Sequence, residues 1–396
     1  MGLTDTPNAN RLHITLFGRR NSGKSSLINA LTGQDIALVS NTPGTTTDLV
    51  SKAMEIQGIG PCLFIDTPGF DDEGELGELR ISRTLKAIEK TDIALLLCED
   101  TTFFHEKEIL ALLKEKNIPV IPVLNKIDIR ENSDHLATYI EEQCKIHPLL
   151  ISAKEKIGIE LIRQAILEKL PSDFGQQNIT GKLVTENDLV LLVMPQDIQA
   201  PKGRLILPQV QTIRELLDKK CLVMTCTTDK FSATLQALAR PPKLIITDSQ
   251  VFKAIYEQKP KESELTSFSV LFAGYKGDIH YYVESAAVIE RLTESSRVLI
   301  AEACTHAPLS EDIGRVKLPR LLRKRIGENL QIDMVAGTDF PQDLTPYSLV
   351  IHCGACMFNR KYVLSRIERA REQHIPMTNY GVAIAFLNGI LDQIKY

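Results

Sequence analysis

The stretch Gly18-Arg19-Arg20-Asn21-Ser22-Gly23-Lys24-Ser25 decides the fold of the first block. It fits G-x-x-x-x-G-K-[ST] without a mismatch, follows the apolar run His13–Phe17 and opens a helical pattern from Ser26 to Leu31. Strand, glycine-rich loop and helix in that order make a phosphate cradle. Backbone N–H groups of the loop from Gly18 through Ser22 and Gly23, and of the helix N-terminus at Ser26, would hold the β-phosphate. Lys24 would reach the β- and γ-phosphates, and Ser25 would hold Mg²⁺.

Working outward, the apolar runs Pro61–Ile65, Ile93–Cys98, Val120–Leu124 and Leu149–Ile151 alternate with helical patterns such as Leu79–Lys90 and Lys107–Lys116. That rhythm predicts an α/β fold with a mostly parallel sheet covered on both faces. Three strand ends carry further polar groups. Asp66-Thr67-Pro68-Gly69 places Asp66 for a water-mediated contact to Mg²⁺ and the Gly69 N–H towards the γ-phosphate. Asn125-Lys126-Ile127-Asp128 offers a carboxylate that accepts two N–H bonds from a guanine edge, which adenine does not present in that arrangement. Ser152-Ala153-Lys154 follows the next strand and supports the base.

These four elements in this order resemble the small GTPases of the translation-factor-related class. Within that class, Pro43-Gly44-Thr45-Thr46-Thr47-Asp48 is similar to the switch I loop of the Era/EngA/MnmE-like branch. Thr46 is then the expected second Mg²⁺ ligand, with Thr45 and Thr47 as alternatives. The resemblance also implies that Asn21 coordinates a potassium ion against the phosphates, supplying the positive charge that an arginine finger brings elsewhere. The catalytic set so implied is Asn21, Lys24, Thr46 and Gly69. Phe70 stands where Ras-like enzymes carry a water-orienting Gln, so intrinsic hydrolysis is expected to be slow, about one turnover per minute or less. The acidic tract Asp71-Asp72-Glu73 is either a mobile switch II or a solvated charged loop.

The chain has 396 residues, which suggests two or three domains. Three blocks are expected. A GTPase domain spans 1–171, and a polar joint at Pro171–Thr180 separates it from two smaller α/β domains at 181–276 and 277–396. The middle block repeats the β-α-β rhythm with no phosphate-binding glycine pattern and reads as a structural or pairing domain. Lys plus Arg (46) nearly balance Asp plus Glu (50), which gives no reason to expect a general nucleic-acid binder. No apolar run is long enough to cross a membrane, no secretory signal is visible, and a reducing cytoplasm is the expected compartment.

Five of the eight cysteines look structural. Cys62, Cys98 and Cys221 lie in or beside apolar strands, Cys226 ends one, and Cys144 sits in a polar helix. The other three differ. His352-Cys353-Gly354-Ala355-Cys356 follows the apolar strand Leu349–Ile351, and Cys304-Thr305-His306 follows Val298–Ala301. Strand ends of an α/β domain collect ligands, so the two segments can meet. On spacing alone a redox pair, a zinc site with one His, an iron–sulfur cluster and unliganded buried thiols all stay open.

A GTPase block joined to a C-terminal C-x-H … H-C-x-x-C arrangement resembles the HydF family of FeFe-hydrogenase maturation GTPases, over the whole chain. The resemblance implies a dimeric scaffold that binds a 4Fe–4S cluster through Cys304, Cys353 and Cys356. It also implies a di-iron precursor as cargo, delivered to apo-FeFe-hydrogenase, with two radical-SAM maturases as further partners and the middle block as dimerisation domain. Three thiolates leave one iron of a cubane open. His306, His352 and Glu302 are candidate fourth ligands, as is an exogenous group; alternatively both His donate to cluster sulfurs.

Overall fold

Strands buried on both faces need unbroken apolar runs, and three such runs form the centre of the first sheet. They are β1 (Leu12–Phe17), β4 (Ile93–Cys98) and β5 (Val120–Leu124), buried along their whole length. The computed structural model describes residues 6–32, 50–68, 83–171, 174–175, 177–195, 205–303 and 313–396. Thr46, Gly69, Phe70, the tract 71–73, Cys304 and His306 lie outside these residues. The chain divides into two compact units, Met1–Phe174 and Gly175–Tyr396.

In the first unit β2 (Val50–Ile56), β3 (Gly60–Asp66) and β6 (Leu149–Leu150) complete a six-stranded sheet in the order β2-β3-β1-β4-β5-β6. All neighbours run parallel except β2, which is antiparallel to β3. Strand order reverses at β1, so the crevice beyond its C-terminal end is where a nucleotide is expected. Leu27, Ile28 and Leu31 of the helix Lys24–Thr32 pack with β1 and β3 in one core cluster, which fixes the loop between strand and helix.

The second unit holds two wholly parallel four-stranded sheets. The first is β7 (Leu189–Val193), β8 (Leu222–Cys226), β9 (Leu244–Thr247) and β10 (Glu264–Ser267), in the order β10-β9-β7-β8. The second is β11 (Arg297–Ala301), β12 (Gln331–Val335), β13 (Leu349–His352) and β14 (Met377–Asn379), in the order β12-β11-β13-β14. Leu191, Ile245 and Leu265 of one sheet share a core cluster with Leu299 and Val350 of the other, bridged by Val270 and Ala273 of the helix Phe268–Lys276. Blocks 181–276 and 277–396 therefore form one body with two sheets.

Among the elements unread in the sequence are β2, β10 and the helix Phe268–Lys276. β2 alternates exposed and half-buried positions at an edge of the sheet, and β10 is only four residues long. The helix Phe268–Lys276 buries residues on all its faces, and such a run shows no helical period. Its N-cap is Ser267, whose hydroxyl accepts the Val270 N–H at 3.2 Å. The last helix is Tyr380–Leu387. Asn379 caps it through the Gly381 N–H at 2.8 Å, it ends at Leu387, and the chain continues through Gly389 (φ +68°) into a 3₁₀ turn at Leu391–Gln393.

Candidate functional site

In the first unit the loop closes tightly on itself. Gly23 has φ +90°, and a Cβ there would stand 2.3 Å from Asn125 Nδ2; at Gly18 it would stand 2.8 Å from Ser22 Oγ. Glycine is therefore required at Gly23, and a side chain at Gly18 would crowd Ser22 and Leu97. Asn21 is exposed with φ +63°, a left-handed conformation that asparagine tolerates. The Lys24 ammonium, almost fully buried, donates to the carbonyls of Gly18 (2.8 Å) and Arg19 (2.7 Å). An arriving phosphate would compete with these two acceptors for the same cation.

Asn125 ties the base-binding segments to the loop. Its amide donates to the Ser22 carbonyl at 3.0 Å, and its carbonyl accepts the Ala153 N–H at 3.0 Å. Asp128 is exposed, and a hydrogen bond from Ser152 holds its carboxyl below the usual range, so it is ionised and open to a base edge. Lys126 takes φ +66° and pairs with Glu99 at 3.0 Å; Lys154 is exposed.

The Mg²⁺ expectation is tested by donor chemistry. Ser25 Oγ donates to Asp66 Oδ2 at 2.7 Å, while the buried Asp66 Oδ1 has no hydrogen-bond partner among the described residues. Burial raises the Asp66 pKa against the opposing pull of Ser25 and Lys24. A hydroxyl beside a carboxylate with an orphaned oxygen fits a hard divalent cation.

In the second unit β11 and β13 are register neighbours, with Ala301 opposite His352. Cys353 Sγ accepts the Ala303 N–H at 3.0 Å and the Ala355 N–H at 3.4 Å. Ala303 directly precedes Cys304 in the chain, so the two cysteine segments converge as far as the structure describes them. Cys353 and Cys356 are partly exposed. Burial pushes the Cys353 thiol up to about 11, a cost that coordination removes by deprotonating it. Among the described residues no three metal-ligating side chains come together. The donor set nonetheless fits a thiolate-held cluster: two cysteines two residues apart, backbone N–H groups on a sulfur, and buried cations around the loop.

His352 is hydrogen-bonded at both ring nitrogens. Its Nδ1–H donates to the Cys353 carbonyl at 2.8 Å and its Nε2 accepts from Arg366 Nη1 at 2.9 Å. Burial, reinforced by the guanidinium, lowers its pKa to about 3, so the ring is neutral with its lone pair already used. Glu302 is buried and paired with Arg315 at 3.3 Å. Of the five structural cysteines, Cys62, Cys98, Cys144 and Cys221 are buried, and Cys226 is half-buried.

Sequence reasoning missed several residues. Arg19 pairs with the buried Glu106 at 2.9 Å and with Asp100 at 3.0 Å, which anchors the phosphate loop to the helix Phe104–Glu115. Breaking such a buried pair from one side costs about 3–5 kcal/mol. Lys276 and Arg366 surround the C-x-x-C loop. None of the three belongs to a spacing pattern; only the fold brings them to their partners.

Comparisons with known proteins follow the same division. Residues 13–126 match the family described as 50S ribosome-binding GTPase. Residues 179–277 match the hydrogen maturase F dimerization domain, and residues 280–395 match the hydrogen maturase F tetramerization domain, together more than half of the chain. The chain belongs to the hydrogen maturase F family. Among curated relatives, the tRNA modification GTPase MnmE of Dechloromonas aromatica is 40% identical over 159 residues, 39% of this chain and 34% of that protein. The MnmE of Pseudothermotoga lettingae is 34% identical over 220 residues, 52% of this chain and 47% of that protein. This hydrogen maturase F chain thus spans only about a third to a half of the length of those relatives. Among solved structures, a probable GTP-binding protein engB is 26% identical with a TM-score of 0.33, covering 40% of this chain and 97% of that one. The G domain of the T. maritima FeoB iron transporter is 24% identical with a TM-score of 0.33, covering 40% of this chain and 98% of that one. Among the described residues no helix is long and apolar enough to cross a membrane.

Proposed function

We propose that this chain is a GTP-switched scaffold that holds a 4Fe–4S cluster on Cys304, Cys353 and Cys356 and delivers a di-iron precursor to apo-FeFe-hydrogenase. The observation that carries this reading is the Ala303 N–H on Cys353 Sγ at 3.0 Å, which draws the chain leading into Cys304 to the C-x-x-C thiols. An iron open to a bridging ligand supplies the docking point for the precursor. The chain's own residues do the rest. Cys353 and Cys356 offer thiolates from the end of β13, backbone N–H groups soften the sulfur charge, and His306, His352, Glu302 or an exogenous group is the fourth ligand. In the first unit Gly18, Ser22, Gly23, Lys24 and Ser26 bind phosphate, and Ser25, Asp66 and Thr46 hold Mg²⁺. Gly69 faces the γ-phosphate, while Asn125, Lys126, Asp128, Ser152, Ala153 and Lys154 form the base site. Two radical-SAM maturases are the expected suppliers of the cargo. The test is anaerobic iron and sulfide reconstitution: a brown protein with absorbance near 400 nm supports the reading, and a colourless one rejects it.

Hydrolysis is slow in this reading, with Asn21 holding a potassium ion. Turnover in potassium should exceed that in sodium severalfold, and Asn21→Ala should erase the difference. Equal steady-state rates in the two salts would remove the role of Asn21.

Self-association is expected through β8. It is the edge of its sheet and exposes Leu222 and Met224, while the helix Leu207–Asp218 exposes Val210 and Leu217. Unpaired edges with apolar side chains invite pairing, and lysine blocks it. A Leu222→Lys/Met224→Lys double variant should therefore halve the mass seen by light scattering at micromolar concentration. An unchanged mass would place the interface elsewhere.

A GTP-regulated ribosome- or RNA-binding factor is the second reading, favoured by the GTPase match over residues 13–126. In that reading the C-x-x-C loop belongs to a structural metal site.

A further inference from the structure

Two buried cations flank the C-x-x-C loop, and among the described residues neither has a carboxylate partner. Lys276, the last residue of the helix Phe268–Lys276, is 2% exposed. Its Nζ donates to the carbonyls of Ala355 (3.2 Å), Cys356 (3.2 Å) and Phe358 (2.6 Å), so one ammonium gathers the whole turn that carries the two cysteines. Arg366 is 1% exposed and comes from the helix Arg360–Glu372. Its guanidinium lies 4.6 to 4.7 Å from the rings of Phe340, Phe358 and Tyr362. It donates to His352 Nε2 at 2.9 Å and to the Gly337 carbonyl, and its buried Nε has no hydrogen-bond partner among the described residues. The His352 ring, in turn, donates to the Cys353 carbonyl at 2.8 Å.

Burying a charge away from water is strongly unfavourable unless an opposite charge compensates it. Carbonyl dipoles and aromatic faces offset part of that cost, but two like charges this close to one loop still lack an anion. Lys276 and Arg366 both couple electrostatically to the thiols of this loop. A cubane held by three thiolates carries net negative charge, and accepting one electron adds another.

We propose that Lys276 and Arg366 are the fixed counter-charge of the cluster, retaining it on Cys353 and Cys356 and favouring its reduced state. This rests on the cluster reading above. Lys276 lies within the segment matched as the dimerization domain and the loop within the tetramerization domain, so the counter-charge ties the two together.

The experiment uses the full chain, reconstituted anaerobically and titrated with dithionite as the one-electron donor, with EPR and iron content as readouts. Lys276→Gln and Arg366→Gln keep donors but remove charge; Lys276→Arg keeps charge. At a fixed potential the reduced-to-oxidised ratio should fall about tenfold in each glutamine variant, equal to ~59 mV for one electron, and stay near wild type in K276R. Loss of iron in K276Q with retention in K276R also supports the counter-charge. Glutamine variants with full iron and the wild-type midpoint overturn it while leaving the cluster reading intact, as does loss of iron from K276Q and K276R alike with R366Q unmoved. A wild-type chain that takes up no cluster overturns both.

Discussion

Replacing Cys353 with alanine should abolish activation of an apo-FeFe-hydrogenase while leaving GTP turnover within about twofold of wild type. The thiol sits in the second compact unit, at the end of β13, and the phosphate loop, base site and Asp66 all belong to the first. A soft ligand set that loses one of three thiolates loses its cluster, and a scaffold without the cluster has nothing to dock a precursor on. Iron should fall to background in C353A. A variant that activates the hydrogenase as well as wild type would remove the cluster from the delivery step.

The second large effect belongs to the base. Asp128→Asn exchanges a double acceptor for a mixed donor and acceptor. Hydrogen bonds to a charged group contribute ~1.5–3 kcal/mol each, so losing one of the two should weaken GTP about 10–10²-fold. Xanthosine triphosphate, which presents an acceptor where guanine has its amino group, should bind better to the variant than to wild type. Titration of a fluorescent nucleotide with both competitors reads the exchange, and undiminished GTP affinity in D128N would take Asp128 out of the base site.

What the sequence makes legible follows the physics of each element. Buried parallel strands are unbroken apolar runs, so β1, β4 and β5 stand out at once. The phosphate loop announces itself because glycine is the only residue that fits beside Asn125 at Gly23. Edge strands and a helix buried on every face lack those signatures, which is why β2 and Phe268–Lys276 did not. The site divides in the same way. Cys353 and Cys356 lie three positions apart, so the pair was readable as candidate ligands. Lys276 lies 80 positions before Cys356, and nothing in its surroundings marks it before the fold brings its ammonium onto three carbonyls. His352 was readable as a candidate from its place beside Cys353, and only the fold brings Arg366 within 2.9 Å of its Nε2. The second and third blocks were legible as separate sheets, but not as one body, because the shared core is made by residues far apart in the chain.

The claim that three cysteines hold the cluster is tested most directly by iron content and EPR of the dithionite-reduced full chain, compared among wild type, C304A and C144A. The account predicts about four irons per chain and a spin-one-half cubane signal in wild type, both kept in C144A, whose thiol lies in the core of the first unit, and both lost in C304A. Survival of the signal in C304A together with its loss in C144A would contradict the account.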